Sequence, residues 1–344
     1  MNLERVKLGA LLISFLILFA GKTIILPEPA DATTIIKISH QWAGGTIEKG
    51  EYRDRLCRTF AKKVEERTKG ALKFEIYPSS MLFKPVPQYD ALLKGALDIS
   101  LIPLDYAGGK VPQYSITHMP CLMKDYHHGQ HWSNSDFGKA IDRLCEENGV
   151  KVLTWTYSRG GIGSRMRPIK LPADVKGLKI RAAGKMFDTM LYKAGASITS
   201  MPSSEIYFAL QTGVLDAALT SNSSFESYRL YEQIQYYTST RHASIFHMFV
   251  PLLMSTVTFK KLSPEHQKVV MEVGKEMEKF AVEEGTKADE EATLLFEQKG
   301  VKVYDMTTDD YKAWLEVSEK SAWKDFAEKV KGGKELLDMA LAVK

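Results

Sequence analysis

Cysteine is scarce. Cys57, Cys121 and Cys145 are the only three in 344 residues and show no C-x-x-C spacing, which argues against a disulfide framework or a zinc cluster. One pair could bridge in an oxidising compartment, with the pairing left open; three buried thiols are the default expectation. An excess of one charge is also lacking. Forty-six Lys and Arg against 42 Asp and Glu leave +4 at pH 7. Residues 1–32 carry three basic side chains (Arg5, Lys7, Lys22) and three acidic ones (Glu4, Glu28, Asp31), so removing them leaves the balance unchanged. No basic stripe is interleaved with aromatics, so a nucleic-acid partner is not expected. G-x-S-x-G, H-E-x-x-H and Walker signatures are absent, and nothing asks for catalysis or a cofactor.

What is present begins with an export signal. Arg5 and Lys7 precede the apolar run Leu8–Ala20, and Ala30-Asp31-Ala32 places small residues at cleavage spacing. The run is short for a membrane span and Lys22 interrupts it, although apolar residues resume at Ile24-Ile25-Leu26, which leaves a retained anchor open. No Cys follows it, against a lipid anchor. The mature chain is expected to begin near Thr33.

That chain is long enough for two domains. Ile35–His40 alternates as a strand, a helix is expected from about Glu48 to Thr68, and Leu72–Tyr77 alternates again before Pro78. A further helix, Gly95 and a strand at Leu97–Ile102 complete a βαβαβ pattern, which argues for a parallel sheet. Tyr89–Asp98 and Tyr207–Asp216 then match at six of ten aligned positions. The echo reads each time as helix end, Gly stop and strand start. Two lobes built on one plan follow, with a ligand cleft between them.

His127, His128 and His131 offer one i, i+3 pair but no convergent Asp, Glu or Cys, so a solvated helix start is preferred to a metal site. Gly160-Gly161-Ile162-Gly163 lacks a following helix start, which disfavours a phosphate cradle. The run reads instead as a flexible crossing between lobes. Ser263-Pro264 is a helix N-terminus. The helix runs to about Gln298, roughly 50 Å at ~1.5 Å per residue, enough to lie across both lobes. Asp309–Leu341 is helical by pattern.

Arg181 ends the short strand Leu178–Arg181, followed by the small residues Ala182-Ala183-Gly184. Its planar fork matches a carboxylate; on residue type alone, a surface pairing with a nearby acid is the plainer account.

Arg167-Pro168-Ile169, Lys176–Arg181, Gly195-Ala196, Met201-Pro202, Glu205-Ile206-Tyr207 and Ala209–Asp216 together resemble the solute-binding proteins of TRAP transporters, of the DctP type. The likeness extends over essentially the whole mature chain. It implies a two-lobed α/β periplasmic receptor, expected to be monomeric, with a ligand cleft and a long helix spanning both lobes. The expected boundaries are 33–158 plus about 247–286 for the first lobe and 159–246 plus about 287–344 for the second. The resemblance also implies that Arg181 binds the carboxylate of an organic acid, and that the receptor passes this ligand to a permease of small and large membrane subunits. A sensor subunit for a histidine kinase and an exported enzyme are the competing readings.

Departures from the family pattern matter. Gly161 stands where members often carry a second arginine; Arg159 and Arg165 are its candidate substitutes. Thr220, with Ser221 and Asn222 after it, replaces a frequent Asn, and Ser203 replaces an aromatic. Position relative to the strands adds Gln41, Trp42, Asp105, Tyr106, Lys185 and Phe187 as pocket candidates. The aromatics Trp42, Tyr106, Trp155, Tyr157 and Phe187 point to an aromatic or branched acid over a small dicarboxylate.

Overall fold

The computed structural model describes residues 33–344; the expected signal segment, 1–32, lies outside the described residues. Four strands open the first lobe: β1 (Thr34–His40), β2 (Leu72–Tyr77), β3 (Ile99–Leu101) and β4 (Val150–Thr154). The chain then crosses at Trp155-Thr156 into a second sheet of β5 (Tyr157–Ser164), β6 (Lys179–Arg181), β7 (Ser197–Ile198), β8 (Ala217–Ser221), β9 (Tyr236–Ser239) and β10 (Phe246–Phe249). It returns through Val250-Pro251 to β11 (Leu252–Ser255) in the first sheet, and β12 (Lys302–Asp305) closes the second. The orders are β2-β1-β3-β11-β4 and β12-β9-β5-β8-β6-β7, with β10 beside β5. As the βαβαβ pattern requires, β1 runs parallel to β2 and β3. The returning β11 is antiparallel to β3 and β4. At the crossing, Val250 N–H donates to Thr156 O at 2.8 Å, tying the two connections together.

The sequence echo has a structural counterpart. Gly95 and Gly213 both stop a helix with positive φ, +65° and +76°, a conformation that glycine adopts without a Cβ penalty. Three residues later, Asp98 accepts from Lys37 N–H at 2.9 Å, and Asp216 accepts from Lys179 N–H at 2.8 Å. In each lobe one carboxylate thus ties the start of a strand to its parallel neighbour.

Gly160–Gly163 is not a flexible crossing. It is the middle of β5, paired with β8, β9 and β10. A Cβ on Gly160 would stand 2.1 Å from Thr220 O, and one on Gly163 would stand 2.5 Å from the Phe225 ring. Close packing, not backbone freedom, requires glycine there.

The long helix runs from Pro264 to Gln298, with Ser263 Oγ accepting from His266 N–H at 3.2 Å. Val270, Val273, Met277 and Ala281 pack into the main core, whereas Ala292 and Phe296 pack into a second cluster with Phe225 and Tyr237. One helical face therefore serves both lobes. After β12, helices Thr308–Ser318, Lys324–Lys329 and Gly333–Ala342 follow, broken by a π turn at Glu319–Trp323 and by Gly332 at φ +71°. Gly333–Ala342, expected with the second lobe, packs instead on Pro112–His118 and Asp136–Glu147 of the first.

Candidate functional site

Leu178 and Ile180 bury one face of the β6 segment and fix the direction of Arg181 at its end. The Arg181 side chain then runs along the neighbouring strand. Its Nε donates to Met201 O at 3.0 Å and its Nη1 to Leu219 O at 2.7 Å. Arg181 is 3% exposed, and among the described residues no carboxylate lies within ion-pairing distance of it. Burial pulls this guanidinium below its ordinary value, opposed by Tyr106 and Asp188 nearby. A buried cation held by carbonyl dipoles, without a counter-charge, favours an incoming anion.

A cavity of about 470 Å³ opens beside it, lined by Arg181, Asp105, Tyr106, Lys185, Asp188 and Met201 among others. Of the positions singled out from sequence, Arg181, Asp105, Tyr106 and Lys185 come together there. Gln41 and Ser203 lie behind it, in contact with Tyr106. Tyr106 Oη accepts from Ser203 N–H at 3.2 Å, Ser203 Oγ donates to Gln41 Oε1 at 3.4 Å, and Gln41 Nε2 stands 3.5 Å from Tyr106 Oη. These contacts join a first-lobe pair, Gln41 and Tyr106, to the second lobe. Thr220 is buried on β8 opposite Gly161.

Four candidates lie elsewhere. Arg159 is turned away into an ion pair with Asp289, 3.2 Å from Nε. Burial, only partly offset by Arg159, pushes that carboxyl up to about 6. Asn222 has its polar atoms engaged: Nδ2 donates to Thr240 Oγ1 at 2.9 Å and Asp289 Oδ1 at 3.0 Å, and Oδ1 accepts from Tyr237. Phe187 is fully buried against His118 and Phe246, with centroids 4.9 and 5.3 Å away. Trp42 is fully buried and donates from Nε1 to Ser224 Oγ at 3.3 Å. The other substitute for the second arginine, Arg165, reaches Leu215 O at 3.4 Å. Gly161 itself has no room for the family's arginine, since a Cβ there would stand 2.3 Å from Thr238 O and 2.6 Å from Tyr237 Oη. The aromatic argument weakens as well, because Trp155 and Tyr157 pack against Phe249, with ring centroids 4.4 and 5.4 Å away, within the core.

Two residues of the interlobe region escaped the sequence. Arg53 is 0% exposed. Its Nε meets Glu51 at 2.6 Å, its Cζ lies 3.9 Å over the Trp42 ring, and Nη1 reaches Ser221 Oγ at 3.3 Å in the second lobe. The charge-rich Glu51-Tyr52-Arg53-Asp54 opening of a helix carries no mark of burial. His118 also lies between lobes, with both ring nitrogens unpartnered. Burial and the neighbouring Arg181 push it down to about 3, so it is neutral.

The remaining expectations concern metals and thiols. His128 Nδ1 accepts from Lys124 N–H at 3.1 Å, and its Nε2 lies 3.1 Å from Val343 O. His131 lies 2.6 Å from Lys344 O, so these two hold the C-terminus, whereas His127 Nδ1 lies 3.2 Å from Gln130 Oε1. Among the described residues no group of three or more His, Cys, Asp or Glu is placed to hold a metal. All three cysteines are free and buried.

Two α/β lobes, a bracing helix and, at their junction, the buried Arg181 without an ion-pair partner define a solute-binding protein. The chain belongs to the DctP family, bacterial extracellular solute-binding protein family 7, which it matches over residues 40–329. It is 44% identical over 308 residues to a solute-binding protein of Albidiferax ferrireducens, covering 90% of this chain and 91% of that one. A TRAP periplasmic solute-binding protein from Rhodoferax ferrireducens, crystallised with malonate, superposes with a TM-score of 0.87 at 44% identity, over 89% of this chain and 96% of that chain. A TRAP solute-binding protein from Roseobacter denitrificans, with bound β-D-glucuronate, has a TM-score of 0.82 at 23% identity over 90% and 100% of the two chains, a likeness of fold.

Proposed function

We propose that this protein is a periplasmic receptor that binds an organic acid through Arg181 and delivers it to a TRAP-type permease driven by an ion gradient. The observation that carries the reading is the Arg181 guanidinium, buried, positioned by two carbonyls, lacking an ion-pair partner and facing a cavity of about 470 Å³. A carboxylate entering there exchanges water for a charge-assisted, bidentate pairing. Malonate on the Rhodoferax ferrireducens relative supports an acid as the ligand class. Export rests on the basic and apolar segment before Thr33.

The test is mass spectrometry of small molecules released on denaturing protein purified from its native compartment. The reading expects a carboxylic acid, recovered unchanged and displaced by excess of the same acid. Recovery of a ligand without a carboxylate contradicts it.

A further inference from the structure

The helix Lys185–Lys193 starts just after Arg181, with Ala182-Ala183-Gly184 between them. Its N-cap is Gly184, which has no side chain to offer the free amides of the first turn. Asp188 N–H donates to Gly184 O at 2.8 Å, so the earlier amides depend on acceptors from outside the helix. The missing cap comes from the other lobe. Asp105, in the loop after β3, lies against Gly184 and accepts from Lys185 N–H. A carboxylate in this place satisfies an orphan amide and faces the positive end of the helix dipole. Asp105 is itself held by its own lobe, because its carboxyl also accepts from Ser115, which is 2% exposed. The same first-lobe segment, Pro112–His118, packs His118 on Phe187 of the capped helix, with ring centroids 4.9 Å apart.

We propose that Asp105 is an interlobe latch, a first-lobe positioning residue that caps the second-lobe helix beside Arg181 when the lobes close. Opening draws Asp105 away from Gly184 and returns both its carboxyl and the Lys185 amide to water. The latch is weak by itself. Burial pushes the Asp105 carboxyl up to about 6, with the like charge of Asp188 on its side and the bonds from Ser115 and Lys185 against it. Taking this carboxylate out of water therefore offsets much of what the cap contributes. The acid paired with Arg181 supplies the remainder, so closure depends on ligand. The inference rests on the proposed role of Arg181 and adds how the filled cavity is kept closed.

Amide hydrogen exchange at Lys185, small-angle scattering and calorimetric titration test it together at pH 7.5. The probes are malonate, succinate, D-glucuronate and the acid released from wild-type protein. In wild type, a saturating probe should reduce the radius of gyration and slow Lys185 exchange by at least about tenfold. Asp105→Ala should lose that protection and bind the probe roughly five- to tenfold more weakly, the effect of one helix cap. Asp105→Asn should stay within about threefold of wild type, because an amide oxygen caps a helix comparably. The ligand-free unfolding midpoint should be the same in all three, since the latch acts on closure alone. Wild-type Lys185 exchange that is equal with and without bound probe would overturn the inference while leaving Arg181 as the carboxylate site. So would an Asp105→Ala protein that matches wild type in affinity and contraction, or one whose loss appears only in the ligand-free midpoint. Absence of binding by every probe would overturn the Arg181 reading itself, and this inference with it. The wild-type exchange comparison alone decides, should either variant fail to fold.

Discussion

Asp105 of the first lobe touches Gly184 of the second so closely that a Cβ on Gly184 would stand 1.9 Å from Asp105 Oδ2. Gly184 also has φ +144°, a region that L side chains rarely adopt. The contact brings the lobes together at the mouth of the Arg181 cavity, and only glycine permits it. Gly184→Ala should therefore obstruct closure. Small-angle scattering at saturating ligand should give a larger radius of gyration for the variant than for wild type, with affinity weakened at least about tenfold, an effect of ~1.4 kcal/mol. Equal radii and equal affinity would show that the Gly184 contact does not limit closure.

Glycines 160 and 161 give a second prediction. As packing residues, they should show their cost in unfolding and not in lobe motion. Gly161→Ala places a methyl 2.3 Å from Thr238 O, and overpacking of this kind costs ~1–3 kcal/mol. Urea unfolding of ligand-free protein should show that loss. An unchanged midpoint with altered ligand-induced closure would restore the hinge reading.

The Arg159–Asp289 pair yields a third. Asp289 accepts from Tyr126 Oη at 2.8 Å, Asn222 Nδ2 at 3.0 Å and Arg159 Nε at 3.2 Å, and it lies on the helix bracing both lobes. Asp289→Ala strips three donors of their acceptor and should destabilise the fold by about 2–4 kcal/mol, given that Arg159 keeps some solvent contact. Chemical denaturation measures it. A loss below about 0.5 kcal/mol, the size of an exposed pair, would contradict the buried-network account.

Asp142 supplies a pH dependence. Burial, reinforced by Glu146 and Glu278, raises its carboxyl to about 6, against the hydrogen bond from Trp155 Nε1 at 3.0 Å. The unfolded carboxyl titrates near ~3.9. Between these values the folded chain holds the proton more tightly, so this contribution is complete below about pH 4 and is lost as pH rises through about 6. Asp142→Asn should gain stability relative to wild type at pH 7.5 compared with pH 4.5. Denaturation at the two pH values reads this directly, and a pH-independent difference would contradict it.

How much of this was legible in sequence depends on where a residue's partner lies. Strand alternation gave β1 and β2 nearly to the residue. Ser263-Pro264 marked the start of the long helix because caps are local. The Tyr89 and Tyr207 echoes were readable, and the structure supplies their meaning in Asp98 and Asp216. Legibility failed where partners are remote. Asn222 looked available until Asp289, 67 residues away, took its amide. Gly160–Gly163 looked flexible because nothing local reveals Thr220 O or the Phe225 ring across the sheet. Arg53 carries no sequence mark, since its neighbours Ser221 and Ser224 arrive from the other lobe. Arg181 itself was readable only through the family resemblance. Strand position placed it at an edge but could not say that it lacks an acidic partner.

Arg181 is the centre of the account, and one measurement tests it most directly. The acid recovered from wild-type protein should be titrated calorimetrically into wild type, Arg181→Lys and Arg181→Ala. Lys keeps the charge and loses the fork, whereas Ala leaves the buried anion unpaired, a loss of about 3–5 kcal/mol. The account predicts at least a hundredfold weakening for Ala, with Lys intermediate and the ligand-free thermal midpoint nearly unchanged. A folded Arg181→Ala protein that binds within a few-fold of wild type would contradict it.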